Sequence, residues 1–344
     1  MEQQDILSMT LPELQATVQE LGEPKFRAKQ IFNWLHQKRV TDFSEMTTLS
    51  LPFRERLASD FCINRLKIAK RLASSVDDTV KYLYELPDGN YVETVCMQYH
   101  HGTSLCISTQ VGCRMGCRFC ASAIAGFVRN LTPAEMLLQI YETERAQNCK
   151  ISSLVLMGIG EPLDNFDNVL RFLQLLSDPN GYGMSLRHVT VSTCGVVPKI
   201  LELAEQRLGL TLSVSLHCPN DAGRSAIMPI NRSYPIDVLL DACQTYFEKT
   251  GRRVTFEYAV MDQVNSAEQD AAALAERLKG LHAHVNLIPI NPVKERNFHT
   301  LKKTVLQFQK TLERYGIPAT IRRTLGSDIE AACGQLRRDA IQQT

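Results

Sequence analysis

Residues 111–120 read VGCRMGCRFC and place Cys113, Cys117 and Cys120 within one short, glycine-containing stretch. Thiolates at this density can converge on a centre of soft metal ions, and iron–sulfur clusters are held by cysteine thiolates. A cubane cluster has four irons, so three cysteines leave one iron open to another ligand. A structural zinc site and a redox-active dithiol use the same residue type. The stretch therefore indicates a metal or redox centre and favours an iron–sulfur cluster.

Length and composition indicate an ordinary globular protein. The chain has 344 residues, of which 44% are hydrophobic and 22% charged, and this length favours one large domain with a smaller one. The acidic residues 1–5 lack the features of a signal peptide, and no apolar run is long enough to span a bilayer. The eleven cysteines are typical of a reducing compartment rather than of a secreted disulfide framework. We therefore expect a cytoplasmic protein without a membrane segment.

The net charge of +1 hides a strongly uneven distribution. Residues 24–71 carry eleven Lys and Arg against four acids, and residues 302–344 carry eight against four. Two basic regions that flank a neutral middle indicate a polyanionic partner contacted from both ends. Charge alone does not separate RNA from DNA, and the solvated helix faces of many proteins carry similar charge.

Hydrophobic periodicity divides the first hundred residues into two regions. Residues 1–72 are predicted to form a small basic helical domain. Its predicted helices cover residues 11–21, 26–38 and 52–61. The runs 81–86 and 91–97, which flank a turn containing Pro, Asp and Gly, predict a β-hairpin that links the domains over residues 73–100.

Residues 101–325 alternate strand and helix patterns six times. The predicted strands cover residues 104–109, 153–157, 188–193, 211–216, 254–261 and 285–290. The predicted helices cover residues 132–147, 165–177, 197–206, 236–249, 266–279 and 301–315. Six such units predict a parallel α/β sheet, which either closes partly into a (β/α)6 barrel or stays open and doubly wound. In both folds the chemistry lies at the carboxyl ends of the strands, and the cysteine stretch follows the first strand.

Polar groups recur at the ends of the later predicted strands. Gly160 and Glu161 follow the second strand, where a glycine lets backbone approach a ligand and a carboxylate accepts from an ammonium group. Later strand ends carry Ser192, Ser215, His217 and Asn291. These side chains can hydrogen-bond a ribose or a carboxylate, although a single serine or histidine at such a place is more often structural.

Three other residues stand apart from these strand ends. Cys106 lies in the first predicted strand, and Cys333 lies among small residues that leave its sulfur accessible. On the residues alone, both are expected to be inert buried thiols. Glu93 shares a strand face with Val95 and Met97, and a carboxylate on an apolar face suits a proton acceptor. The alternative for Glu93 is a hairpin residue at a solvent edge.

Four sequence motifs together resemble one enzyme family. They are LCISTQVGC at residues 105–113, MGIGEP at 157–162, MPIN at 228–231 and DIEAACGQL at 328–336. The cysteine spacing C-x3-C-x2-C is that of the radical S-adenosylmethionine (SAM) enzymes, and the full set resembles their RNA adenine-C2 methyltransferases of the RlmN type. The resemblance covers residues 26–338, and its last motif is far more specific than the cysteine triplet. It implies a partial (β/α)6 radical SAM barrel at residues 101–325.

The resemblance also implies the cofactors and their ligands. One [4Fe-4S] cluster would be held by Cys113, Cys117 and Cys120, and its open iron would chelate SAM. Two SAM molecules would be used per turnover. The residues that would contact SAM are Gly160, Glu161, Ser192, Ser215, Leu216, His217 and Asn291.

A covalent mechanism for methylating C2 of adenine is implied in the same way. Cys333, in the C-terminal segment 326–344, would take a methyl group from one SAM, and a deoxyadenosyl radical from the second SAM would remove hydrogen from that methyl. The carbon radical would add to C2 and link protein to RNA. Glu93 would accept the C2 proton, and Cys106 would release the product by forming a transient disulfide with Cys333.

The implied substrates are a specific adenine of 23S ribosomal RNA and a subset of transfer RNAs, with residues 1–72 as the RNA-binding domain. An electron donor such as flavodoxin and a monomeric state are also implied. The nearest alternative is a C8 adenine methyltransferase of 23S rRNA of the Cfr type. Pro162, the long basic N-terminal module and Pro289 favour the C2 branch. A second alternative, an RNA-binding zinc or redox protein, leaves Cys333 without a role.

Overall fold

A computed structural model of the protein describes residues 3–124, 126–290 and 298–329. Its helices are α1 (Leu11–Glu20), α2 (Phe26–Asn33), α3 (Leu51–Asp60), α4 (Pro133–Gln147), α5 (Phe166–Ser177), α6 (Val197–Glu205), α7 (Asp221–Ile227), α8 (Ile236–Thr250), α9 (Glu268–Leu278) and α10 (Lys302–Arg314). Its strands are β1 (Gln4–Asp5), β2 (Phe61–Cys62), β3 (Lys67–Ala73), β4 (Val80–Glu85), β5 (Tyr91–Tyr99), β6 (Gly102–Cys106), β7 (Gln110–Gly112), β8 (Phe127–Asn130), β9 (Ile151–Leu156), β10 (Val189–Thr193), β11 (Thr211–Ser215), β12 (Val254–Val260), β13 (Ala283–Pro289) and β14 (Ala319–Ile321).

Ten of these strands form one sheet, in the order β14-β13-β12-β11-β10-β9-β6-β5-β4-β3. The strands from β6 to β14 are parallel to their neighbours and follow chain order in a single direction. A doubly wound sheet reverses its strand order at a switch point, whereas this parallel part does not. The predicted partial α/β barrel is therefore confirmed, and the doubly wound alternative is wrong.

The antiparallel strands β3, β4 and β5 continue the same sheet at one end. The hairpin predicted at residues 73–100 thus pairs with the barrel, and the domain boundary predicted at residue 72 falls within β3. The physical reason is that β5 is buried on both faces. Thr94 on its outer face donates a hydrogen bond to Gln139 of α4 at 2.9 Å, and Val95 on its inner face is a register partner of Cys106.

The N-terminal helices pack onto the barrel helices rather than standing apart. Thr10 and Glu13 form a capping box at the start of α1, and α2 runs into a π-helical turn at Trp34–Lys38. His36 in this turn meets the Tyr141 hydroxyl of α4 at 3.0 Å. One continuous hydrophobic core includes side chains from both the N-terminal helices and the barrel. None of the helices in the described part of the chain has the length and apolar character needed to span a bilayer.

Candidate active site

A cavity of about 350 Å³ opens at the carboxyl ends of the parallel strands. It brings together most of the residues that the sequence singles out. The predicted residues that line it are Cys106, Cys113, Cys117, Cys120, Gly160, Glu161, Ser192, Ser215 and His217. Leu216 does not line it, because this side chain is fully buried in the hydrophobic core. Asn291 and Cys333 lie outside the described residues.

A short hairpin of β7 and β8 ties together the two ends of the cysteine loop. Gly112 makes this closure possible, since its φ is +81° and a Cβ there would stand 1.7 Å from the Gly126 carbonyl oxygen. The Cys113 amide donates to the same oxygen at 3.1 Å. Further along the loop, the Arg118 amide donates to the Ile227 carbonyl at the end of α7 at 2.9 Å. The loop is thus held at its base and near its middle.

Cys113, Cys117 and Cys120 are half-buried and face the cavity. Burial raises the pKa of Cys113 to about 12 and raises that of Cys117 as well, so these thiols ionise only where a bound cation compensates the charge. Among the residues that the structure describes, no three His, Cys, Asp or Glu side chains are arranged to hold a single metal ion. Cysteines on a cubane bind different irons and need not meet at one point. Three thiols that face one cavity fit the cysteine ligands of an iron–sulfur cluster.

Glu161 is fixed by main-chain hydrogen bonds at the end of β9. Its carboxylate accepts from the Leu163 amide at 3.0 Å and from the Cys194 amide at 2.7 Å. Burial raises its pKa. Gly160 before it has φ +111°, and a Cβ there would lie 2.7 Å from the Gln110 side chain. A carboxylate has about four lone-pair sites, so Glu161 can lock two strands together and still accept from a ligand.

His217 has a fixed tautomer. Its Nδ1 accepts a hydrogen bond from the Ala259 amide at 2.9 Å, so the neutral ring carries its proton on Nε2. Burial lowers its pKa to about 3, so the ring stays neutral at ordinary pH. Its edge contacts Phe119 of the cysteine loop, with ring centroids 4.8 Å apart. The backbone has φ +58°, a conformation rare outside glycine.

Glu93 lies on the inner face of β5, next to cavity-lining Val95 and Met97. It is 1% exposed, which overturns the solvent-edge alternative. Lys81 of β4 is also fully buried and forms an ion pair with it at 3.0 Å. Sequence reasoning missed Lys81, because a lysine in a hairpin reads as a surface residue and the antiparallel register is needed to place it beside Glu93.

Cys106 is buried in a small apolar cluster with Val95 and Met97 of the neighbouring strand β5. Leu325, from the segment after β14, packs against the same group. No disulfide joins two of the described cysteines, and the predicted disulfide of Cys106 involves Cys333, outside them. Its formation stays a prediction.

Two buried charged residues near the cavity also escaped the sequence reasoning. Arg224 of α7 donates to the carbonyls of Cys194 at 2.7 Å and Ser215 at 3.0 Å, and so ties the ends of β10 and β11. Glu257 of β12 lines the cavity and accepts from Ser213 at 2.6 Å and from Asn286 at 2.8 Å. Arg224 lies four residues before the MPIN motif, but nothing in its local sequence marks it as buried.

Comparisons with known proteins agree along the whole chain. A model described as the ribosomal RNA large subunit methyltransferase N-terminal domain matches residues 4–63, and the radical SAM superfamily model matches residues 107–275. The chain is 51% identical to a dual-specificity RNA methyltransferase RlmN of Lachnoclostridium phytofermentans, over 99% of this chain and 96% of the relative. It is 48% identical to the Clostridium novyi protein of the same name, over 98% and 99%. A solved radical SAM methyltransferase from Sphaerobacter thermophilus is 40% identical, with TM-score 0.92 over 96% of this chain and 98% of that one.

Proposed function

Because the chain belongs to the RlmN family of radical SAM RNA methyltransferases, we propose that it methylates C2 of a specific adenine in 23S ribosomal RNA and in a subset of transfer RNAs. The observation that supports this proposal most directly is the set of side chains that line one cavity. The cysteine loop, Glu161, His217 and Cys106 all line it. Groups suited to generating a radical and a thiol suited to resolving a covalent adduct therefore face the same space.

The family's cofactors, a [4Fe-4S] cluster and SAM, fit the groups of this cavity. We assign the cluster to Cys113, Cys117 and Cys120. When bound, the reduced cluster supplies the electron that splits SAM into methionine and a deoxyadenosyl radical. The assigned SAM contacts are Gly160, Glu161, Ser192, Ser215, Leu216, His217 and Asn291. Leu216 can contribute only main-chain atoms, since its side chain lies in the core.

Chemistry at C2 needs a carrier, because this carbon is electrophilic and has no lone pair to attack a methyl sulfonium group. We assign that role to Cys333, which would accept a methyl group from the first SAM. After the radical adduct has returned one electron to the reductant and lost the C2 proton, Cys106 is assigned the attack on the Cys333 sulfur: the S–S bond forms, the S–CH2 bond to the RNA breaks, and the released methylene carbon takes a solvent proton. Glu93 is assigned the C2 proton, and its ion pair with Lys81 fixes the orientation of the carboxylate.

We assign RNA binding to the N-terminal domain at residues 1–72 and catalysis to residues 101–325, with the carrier in residues 326–344. Exposed cations lie at the start of α2 and on the edge strand β3, where phosphates can reach them. They are Lys25, Lys29, Lys67, Lys70 and Arg71. Residues 73–100 link the two regions as part of the sheet. A flavodoxin-like reductant, a cytoplasmic location and a monomeric state complete the proposal.

In vitro methylation tests this function. Anaerobically purified protein is incubated with SAM, a reductant and a 23S rRNA fragment, and the digested RNA is analysed by mass spectrometry. We expect 2-methyladenosine from a brown protein that contains iron and sulfide. Formation of 8-methyladenosine alone would show that the enzyme methylates C8 instead of C2. A colourless protein that contains zinc would contradict the assignment of an iron–sulfur cluster.

Two cysteine variants test the covalent steps. Cys333→Ala should abolish RNA methylation and leave SAM cleavage intact, because only the carrier is lost. Cys106→Ala should leave RNA attached to the protein, visible as a slow-migrating band that ribonuclease removes. Continued methylation by the first variant, or clean release of methylated RNA by the second, contradicts the assigned role.

A further inference from the structure

We propose that Asp328 is a positioning residue that clasps the root of the C-terminal segment to the turn between β3 and β4 and so aims the Cys333 carrier at the cavity. The inference rests on the carrier role proposed for Cys333. It also gives a role to the antiparallel end of the sheet, which contains no cluster ligand or predicted SAM contact.

Both carboxylate oxygens of Asp328 are bonded to this turn. Oδ1 accepts from the Ser74 hydroxyl at 2.7 Å, and Oδ2 accepts from the Ser75 amide at 2.7 Å and the Ser75 hydroxyl at 2.8 Å. These hydrogen bonds lower the pKa of Asp328 to about 2, so the carboxylate stays ionised at ordinary pH. Three short hydrogen bonds to one charged group are an unusually firm attachment for an exposed side chain.

A second attachment lies two residues earlier. The Gly326 amide donates to the Asp77 carboxylate at 2.8 Å, and Asp77 also accepts from the Thr79 amide at 2.9 Å within the same turn. Leu325, directly before Gly326, packs against the Cys106 group. The chain is therefore fixed to the β3–β4 turn at two points and to the cavity wall at a third.

These contacts make residues 322–329 a bridge across the open side of the barrel. At one end the Arg322 amide donates to the Leu287 carbonyl of β13 at 2.8 Å. At the other end Asp328 meets the β3–β4 turn, and residues 322–325 line the cavity between these ends. Cys333 lies five positions after Asp328, and such a length reaches at most about 18 Å. A fixed root therefore reduces the volume that the carrier sulfur must search.

The alternative is a bond network that only stabilises the fold. That role predicts a lower melting temperature with unchanged coupling between SAM cleavage and RNA methylation. A positioning role predicts that SAM cleavage continues, whereas the methyl group reaches RNA less often. The amount of deoxyadenosine formed per 2-methyladenosine separates the two, because the side chain of Asp328 is bonded to Ser74 and Ser75 and not to the residues assigned to the cluster and SAM.

The test compares Asp328→Ala with wild-type holoenzyme, using SAM, reductant and the 23S rRNA fragment. We expect 2-methyladenosine to fall on the order of 10- to 100-fold while cluster content and SAM cleavage stay near wild type. Asp178→Ala is the matched control, because this aspartate also accepts from a main-chain amide, that of Asn180 at 2.8 Å, and lies outside both the cavity lining and residues 1–72. The control should keep the wild-type ratio of deoxyadenosine to 2-methyladenosine.

The Ser74→Ala/Ser75→Ala double variant removes two of the three bonds and serves if Asp328→Ala does not fold. A several-fold rise in the ratio of deoxyadenosine to 2-methyladenosine supports the clasp. A wild-type ratio in a folded variant overturns it. The methylated fraction of Cys333, measured on its peptide after incubation with SAM, tests the clasp without RNA. Wild-type enzyme that methylates Cys333 but forms no 2-methyladenosine would overturn the proposed function and leave the clasp standing.

Discussion

The two walls of the cavity hold their polar groups in different ways. On the cofactor wall, formed by the cysteine loop and the ends of β9 to β12, Glu161 and His217 are bonded to main-chain amides. On the carrier wall, formed by β4 to β6 and residues 322–329, the fully buried Lys81 and Glu93 side chains form an ion pair. The polar groups of the first wall are fixed by bonds to main-chain amides, and those of the second by a side-chain ion pair and by the contacts of Asp328 with Ser74 and Ser75.

This difference predicts that substitutions on the two walls impair different reactions. Damage to the cofactor wall should stop both SAM cleavage and RNA methylation, because no radical forms. Damage to the carrier wall should stop RNA methylation and spare SAM cleavage. Variants on each wall, followed by both products, therefore test whether the cavity is one site or two linked ones.

The largest effect is expected at the cysteine loop. Cys117→Ser should lose cluster iron and should reduce both deoxyadenosine and 2-methyladenosine to background, because the thiolate ligand is lost. Cys149→Ala is the matched control, since this half-buried cysteine does not line the cavity. Iron analysis and mass spectrometry of both products give the result. Full SAM cleavage by Cys117→Ser would contradict the division into two walls.

The buried ion pair should give the next largest effect. Lys81→Met removes the ammonium group beside the buried Glu93 carboxylate and should lower the free energy of unfolding by about 3–5 kcal/mol. The double variant Lys81→Met/Glu93→Leu should recover much of this loss, because no charge is left in an apolar site. Denaturant unfolding of the single and double variants measures both values. Equal destabilisation of the two would show that the charge pair is not what stabilises this wall.

On the cofactor wall, His217 should make stability depend on pH. Burial depresses its pKa to about 3 in the folded protein, so the unfolded chain takes up the proton first. The contribution of neutral His217 to the free energy of unfolding is present above its ordinary pKa of about 6.5. This contribution is lost as pH falls towards 3, by up to about 1.4 kcal/mol per pH unit. His217→Asn should therefore flatten the decline of the melting temperature between pH 6.5 and 5.

His36 provides the control for this pH dependence. Burial lowers its pKa to about 4 in the N-terminal domain, far from the cavity. His36→Gln should reduce the slope of melting temperature against pH in the same window without changing SAM binding. His217→Asn should change both this slope and SAM binding. An unchanged slope in His217→Asn would contradict its assignment as a buried neutral ring.

The smallest effect is expected on the outer edge of the carrier wall. Lys70→Ala on the exposed strand β3 should weaken RNA binding only several-fold and reduce the salt dependence by about one counterion. Lys279→Ala, at an exposed lysine beyond α9, is the control. Fluorescence anisotropy at several salt concentrations gives the slope. An unchanged slope of RNA affinity against salt concentration for Lys70→Ala would show that this edge of the sheet does not contact RNA.

Much of the cofactor wall could be predicted from the sequence. The cysteine spacing favoured the barrel over the doubly wound sheet, and the six strand–helix units lie within a few residues of their predicted positions. Local chemistry explains this success. Thr132 and Glu135, for example, form the capping box that begins α4 at Pro133.

The carrier wall could not be predicted to the same extent. The pattern at residues 81–97 indicated a hairpin, but only the register between β5 and β6 shows that it belongs to the barrel sheet. Strands β1, β2, β3, β7, β8 and β14 and helix α7 were missed, because segments of two to seven residues show no clear period. The contacts of Asp328 with Ser74 and Ser75 join residues about 250 positions apart, and no local signal announces them.

The isotope content of the product tests the carrier mechanism most directly. Wild-type enzyme is incubated with SAM that has a fully deuterated methyl group, and the masses of 2-methyladenosine and deoxyadenosine are measured. We expect two deuterium atoms in the methyl group at C2 and one in deoxyadenosine, because one deuterium is removed from the methyl on Cys333 and a solvent proton later completes the methyl. A methyl group with all three deuterium atoms on the RNA would contradict the carrier.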